Sequence, residues 1–185
     1  MNIVLLGKIG SGKTTLCNNL TENFRYDKII TTTTRLMRKN EKDGVDYFFV
    51  DDFKFNEMLE NQELVLTTNV SGYKYGLNKK LLNNIENKII IVDPSGLNEL
   101  NNILNFKFIS IYVMCESYKR YLRCLDRGDD KEFILNRMDT EYSVFDSLKT
   151  DYIVCNSSEN IWDATTNVLE CVKESMDCSH QNYIK

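Results

Sequence analysis

Gly7-Lys8-Ile9-Gly10-Ser11-Gly12-Lys13-Thr14-Thr15 is the stretch that decides the fold. It fits G-x-x-x-x-G-K-[ST], follows the apolar run Ile3 to Leu6, and opens into Thr15-Leu16-Cys17-Asn18-Asn19-Leu20, whose apolar spacing is helical. Strand, glycine-rich loop and helix in that order form a phosphate cradle. Gly7, Gly10 and Gly12 let the backbone curl around Ser11, so that N–H groups face phosphate oxygens. The N-terminus of the helix that Thr15 enters adds its positive end. Lys13 reaches the outer phosphates, and the Thr14 hydroxyl is placed to hold Mg²⁺. A glycine-rich turn without a ligand is the plainer alternative, and placement between a strand and a helix speaks against it.

Bulk properties bound the rest. The 185 residues suffice for one well-buried domain, and 42% hydrophobic with 27% charged content is that of an ordinary globule. A net charge of −4 gives no support for a nucleic-acid-binding surface. The six cysteines form no C-x-x-C pair and His180 is the sole histidine, so neither a zinc site nor a Cys/His dyad fits ordinary spacings. Reduced thiols in a cytoplasmic protein are expected. Met1-Asn2 leads straight into a strand, which leaves no room for a signal peptide, and no apolar run is long enough to span a membrane.

Beyond the cradle, Asp27 to Ile30 reads as a strand, and residues 31–50 as extended chain joined by a polar turn at Asp43-Gly44. Asp51 or Asp52 caps an amphipathic helix through Leu59. Glu63 to Val70 is a strand, Ser71-Gly72 a turn, and Asn78 to Glu86 a helix. Lys88 to Val92 carries the continuous apolar run of a parallel strand buried on both faces, and Leu97 to Leu104 a helix. Phe106 to Met114 is a further strand. An arginine-bearing helix starts at Ser117, breaks at Gly128-Asp129-Asp130 and resumes from Lys131 to Leu148. Tyr152 to Cys155 and Asn160 to Glu174 are the last strand and helix, and residues 176–185 a loosely held polar tail. The alternation predicts an α/β fold, an open parallel sheet flanked by helices.

Residues 31–50, T-T-T-T-R-L-M-R-K-N-E-K-D-G-V-D-Y-F-F-V, resemble the guanylate kinase signature S-x-T-T-R-x-P-R-x-G-E-x-x-G-x-D-Y-x-F-V. Arginines, glutamate, glycine and Asp-Tyr fall in register. The resemblance runs from the P-loop through Arg127-Gly128, similar to the family's lid, to Tyr152-Ile153-Val154-Cys155-Asn156, similar to its D-Y-V-I-V-N-D strand. It implies a P-loop domain over residues 1–175, with a small β-rich insertion for the acceptor near 33–82 and a lid near 127–137. It implies ATP and Mg²⁺ as donor and cofactor, and a nucleoside monophosphate as acceptor. A monomer or small homo-oligomer is expected, with neither nucleic acid nor membrane as partner.

The resemblance carries roles onto individual residues. Arg35 and Arg38, three apart on a turn, can fork onto one phosphate, with Tyr47 and Tyr75 as phenolic donors. Thr31, Glu41 and Asp93 complete the acceptor set. Arg123, Arg127 and Arg137 resemble lid arginines that neutralise the transferred phosphoryl group, and solvated helix-face charges are their alternative. Asp93 would orient Mg²⁺ water or else cap a helix. Asn156 matches the donor-adenine end of the site or else a strand-end turn.

The departures fall in the base pocket. Leu66 stands where the family has a glutamate that accepts hydrogen bonds from guanine, and Leu77 where it has Thr or Ser. Met37 and Asn40 replace a proline and a glycine, and Ile91-Val92-Asp93 retains one of two acidic groups. The expected activity is therefore phosphorylation of a nucleoside monophosphate, GMP or dGMP by family default, with relaxed or altered base preference as the alternative. A non-catalytic guanylate-kinase-like interaction module would not need the intact loop, and a hydrolytic P-loop switch would need no acceptor set.

Overall fold

The computed structural model describes residues 1–39, 41–70, 72–82, 86–103 and 106–181. Asn40, Ser71, residues 83–85 of the expected helix, Leu104 and residues 182–185 of the expected tail lie outside them. The described chain divides into two compact units, one of residues 1–28, 87–94 and 107–185, the other of residues 29–86 and 95–106.

The first unit is a parallel α/β layer. Its strands are β1 (Asn2–Leu6), β2 (Asp27–Lys28), β7 (Lys88–Ile91), β8 (Phe108–Met114) and β9 (Tyr152–Cys155), in the order β2-β7-β1-β8-β9. β1 lies between β7 and β8 in register Ile3↔Ile89 and Ile3↔Ile109, and all five of its residues are buried. Helix α1 (Lys13–Asn23) turns Leu16, Cys17 and Leu20 inward, onto a core that also takes Ile111, Val113, Val154, Val168 and Val172. This is the apolar content predicted for strands covered on both faces. Among the described residues no helix is long and apolar enough to cross a membrane.

Helices α4 (Ser117–Asp126) and α5 (Lys131–Phe145) flank the break at residues 127–130, where the Asp130 carboxylate caps α5 by accepting from Phe133 N. The last helix, α6 (Ile161–Gln181), runs past the expected end at Glu174. No glycine or proline stands between Glu174 and Gln181 to stop it, so the expected tail is helical over its described part.

The second unit holds β3 (Thr32–Thr33), β4 (Phe48–Phe49), β5 (Leu64–Val70) and β6 (Tyr73–Asn78) in the order β4-β3-β6-β5, with helix α2 (Asp52–Glu60) capped by Asp51. Several expectations shift here. β2 stops at Lys28, its pairing with β7 limited to Asp27↔Lys88 and Lys28↔Ile89. The turn at Asp43-Gly44 forms, with Gly44 N donating to Tyr47 O at 2.8 Å, but β3 and β4 pair in parallel, so the segment is a crossing loop rather than a hairpin. Where a helix is expected from Asn78, the described residues form a 3₁₀ turn, Lys79–Leu82, and Asn78 itself stays in β6 paired with Leu64. Helix α3 (Pro94–Leu100) begins earlier than expected, at a proline suited to a first helical turn.

Candidate active site

The phosphate loop joins β1 to α1. Gly12 caps the helix at φ +89°, and a Cβ there would lie 2.3 Å from the Asn156 amide nitrogen, so only glycine fits. Gly10, at φ +72°, would drive a Cβ to 2.4 Å from Arg120 O. Asn156 follows β9 and is buried. Its amide donates to Ser11 O at 2.8 Å, and its own N–H to Met114 O at 2.7 Å. Ser11 Oγ is also buried and has no hydrogen-bond partner among the described residues, a polar atom left over inside a loop shaped for anions.

Lys13 folds back on this loop, its ammonium donating to Gly7 O at 2.7 Å and Lys8 O at 3.0 Å. Desolvation lowers its pKa from 10.5 to about 8; Glu141 opposes that shift, while Arg137, Arg127 and Arg120 add to it. Cations converge here from the two helices. Arg123 donates to Asn156 O at 3.0 Å and Cys115 Sγ at 3.3 Å, which ties α4 to the end of β9. Arg127 pairs with Asp129, and Arg137 Nε with Glu141 at 3.2 Å. Each of these arginines thus has a partner within the chain.

Sequence reasoning missed two members of this group. Arg120 and Glu141 are both buried and pair at 3.7 Å. Glu141 stands four residues after Arg137, a spacing that signals a helical ion pair, but nothing in the spacing shows it turned inward.

In the second unit Arg35 and Arg38 gather around one carboxylate, that of Glu41. Glu41 takes Arg35 Nη2 at 2.7 Å and the Arg38 N–H at 2.8 Å, and its distance to Arg38 Nη1 is 3.6 Å. Arg35 also donates to Leu36 O at 2.7 Å and lies over the Tyr47 and Phe49 rings at 5.3 and 5.7 Å. Tyr47 meets Tyr75 edge to face at 6.0 Å. Desolvation favours the neutral form of Arg35, yet the bond and charge of Glu41 outweigh it and raise the pKa; desolvation opposes, and the arginines overcome, in holding Glu41 below its usual range. Burial raises the Tyr47 phenol. Arg35 therefore stays charged beside a Tyr47 phenol that stays protonated, which suits a dianionic phosphate. Thr31 is half-buried nearby in sequence, and its carbonyl accepts from Phe48 N at 2.9 Å.

Comparison with known proteins fits this geometry. The family model described as guanylate kinase matches residues 1–175. The chain belongs to the guanylate kinase family. A guanylate kinase from Anaplasma phagocytophilum is 30% identical over 177 residues, spanning 90% of this chain and 84% of that protein. One from Malacoplasma penetrans is 35% identical over 147 residues, 74% of each. The crystal structure of guanylate kinase from Anaplasma phagocytophilum superposes with TM-score 0.69 at 25% identity, covering 95% of this chain and 85% of that one.

Within this guanylate kinase fold, β5 and β6 carry the departures. Val65 pairs with Leu77 and Thr68 with Tyr75, so Leu66 and Thr67 together oppose Gly76 in a β-bulge. Leu66 takes φ +53°, a left-handed conformation that costs a leucine about 1 kcal/mol or more. It is buried at 6% exposure, and Leu77 at 0%. Neither offers an acceptor. Two residues on from Leu66, Thr68 Oγ1 lies 3.4 Å from Ser95 Oγ.

The residues of the first unit also fit Mg²⁺. Thr14 is exposed in the first turn of α1, and Asp93 is half-buried just past β7, beside β1; Val92 N still donates to Leu5 O at 3.2 Å. A hydroxyl and a carboxylate are the hard oxygen donors this ion takes.

Proposed function

We propose that this chain transfers the γ-phosphoryl group of ATP to the α-phosphate of a nucleoside monophosphate, with GMP or dGMP as the first candidate. The observation that carries the reading is one chain holding both a built phosphate loop, with Lys13 desolvated on it, and the Arg35–Glu41–Arg38 group beside Tyr47 and Tyr75. The acceptor's phosphate would take Arg35 and Arg38 from Glu41, and the two phenols would donate to its remaining oxygens. ATP would lie along Gly7, Gly10, Ser11, Gly12, Lys13, Thr14 and Thr15, with its adenine end near Asn156. Arg123, Arg127 and Arg137 would exchange their internal partners for oxygens of the transferring group. Catalysis is then positioning and charge stabilisation, with no covalent protein intermediate. Thr14 and Asp93 would hold Mg²⁺, which supplies charge neutralisation at the phosphates.

Residues 33–82 would form the acceptor insertion and 127–137 the lid of a monomer or small homo-oligomer in the cytoplasm, acting on free nucleotides and on neither nucleic acid nor membrane. A second reading of base preference is favoured by Leu66 and Leu77. Guanine presents N1–H and N2–H₂ donors, and leaving one unpaired when buried costs about 1–3 kcal/mol. The test is kcat/KM for dGMP, dAMP, dTMP and dCMP with MgATP. Guanine favoured 10³-fold or more, roughly 4 kcal/mol, establishes the family substrate and ends the second reading. Comparable values across bases establish relaxed preference, and no transfer to any of them sinks the kinase reading.

A further inference from the structure

The phosphate loop holds a buried acid that the reaction as described does not use. Ile9 N donates to both carboxylate oxygens of Glu141, at 3.0 and 2.9 Å, and Ile9 O accepts from Arg120 Nη1 at 3.2 Å. Both polar groups of one loop residue are thus gripped by an ion pair whose side chains are 5% and 3% exposed. The grip comes from both sides of the lid, Arg120 from α4 and Glu141 from α5, with Arg127 to Asp130 between them. The same carboxylate takes Arg137 Nε at 3.2 Å.

A carboxylate inside an anion site repels the anion the site is meant for, and burying it costs several kcal/mol unless it is well paired. Glu141 is well paired. One backbone N–H and two guanidinium groups surround it, so the cluster keeps a net positive charge while its cations are fixed in direction. A plain core ion pair would stabilise the fold and leave the chemistry alone. This pair has hold of the loop itself and of a lid arginine, and so reaches the chemistry through geometry.

We propose that Glu141, with Arg120, is a positioning residue of the phosphate site: it clips the Ile9 peptide and aims the Arg137 guanidinium at the loop. The proposal rests on the loop being the ATP site. Glu141→Gln keeps the shape and an acceptor for Ile9 but drops the charge that orients Arg137. It lowers kcat at least tenfold while KM for MgATP and for the monophosphate stays within threefold. In an Arg137→Ala background the same change costs less than twofold, because the arginine it acts through is gone. A kcat within twofold of wild type, or an undiminished loss in the Arg137→Ala background, overturns the proposal.

Amide hydrogen exchange on the intact wild-type chain supplies an independent arm, needed if the variant fails to fold. The Ile9 amide exchanges at least a hundredfold slower than an unstructured amide. Exchange at the unstructured rate overturns the clip, whatever the activity. Absence of wild-type turnover would instead strike the ATP reading and leave the Ile9 measurement to decide the clip.

Discussion

Asn156 and Ser11 are joined by a buried hydrogen bond of 2.8 Å, from the Asn156 side-chain amide to the Ser11 carbonyl, which pins the crest of the phosphate loop to the end of β9. The amide nitrogen that makes this bond lies 2.3 Å from where a Cβ on Gly12 would fall. Gly12→Ala must therefore break that bond or distort the helix start, and it also strains φ +89°. We expect Gly12→Ala to abolish measurable ATP affinity, and Asn156→Ala alone to weaken the fold by about 1–3 kcal/mol. Gly12→Ala should cost less in the Asn156→Ala background than in wild type. Strict additivity in thermal melts would show that the two side chains do not meet.

Lys13 ties charge to both chemistry and stability. Lys13→Ala should lower kcat by about 10²-fold or more, on the order of 3 kcal/mol, if the ammonium stabilises the transferring group. Below pH 8 the folded and unfolded chains both carry its proton, so the fold bears the full cost of burying the charge. Between about 8 and 10.5 only the unfolded chain keeps the proton, and that cost fades as pH rises. Lys13→Met should therefore melt above wild type at pH 7, with the gap closing towards pH 10.5. A gap that widens with pH would refute the desolvation argument.

Arg35 and Arg38 differ in what surrounds them, and their lysine variants should differ accordingly. Both lose the planar fork, so acceptor KM rises for every monophosphate whatever its base. Arg35, whose side chain is 11% exposed, also bonds Glu41 and Leu36 O, so Arg35→Lys should lower Tm as well. Arg38→Lys, at 33% exposure, should leave Tm nearly unchanged. A KM effect confined to one base would move these residues from the phosphate to the base edge.

The base pocket can be tested from the protein's side. Leu66→Glu with Leu77→Thr puts an acid and a hydroxyl at two buried positions, so the free double variant should melt below wild type. GMP should then raise its Tm by more than it raises that of wild type, and kcat/KM should shift towards guanine. Equal shifts in both proteins would show that these positions do not face the base.

The stretch from Ile3 to Leu20 was legible because local signals agree there: an apolar strand, obligatory glycines and a helical stripe. Arg35, Arg38, Glu41 and Tyr47 stood out together through the family signature that residues 31–50 resemble. What joins them was not legible: Glu41 as the common partner of the two arginines is a matter of side-chain direction. The left-handed Leu66 escaped because a run such as Leu64-Val65-Leu66 reads as plain strand, and a bulge depends on what lies opposite, here Gly76. Glu141 escaped for a third reason. Its partner Ile9 is 132 residues away, and only the packed fold brings a helix interior onto a loop backbone.

β1 lies in the middle of its sheet, and every one of its residues is buried. Segments with so much buried contact are the last to come apart, with the rest of the domain rather than before it. The loop hangs directly from β1, so its curvature is inherited from the most durable part of the chain. A phosphate bound there would not have to build its own receptor, and surface fraying would not dismantle it. A protease acting on the native protein would find its first cuts elsewhere, and a nicked chain would still keep the loop in shape.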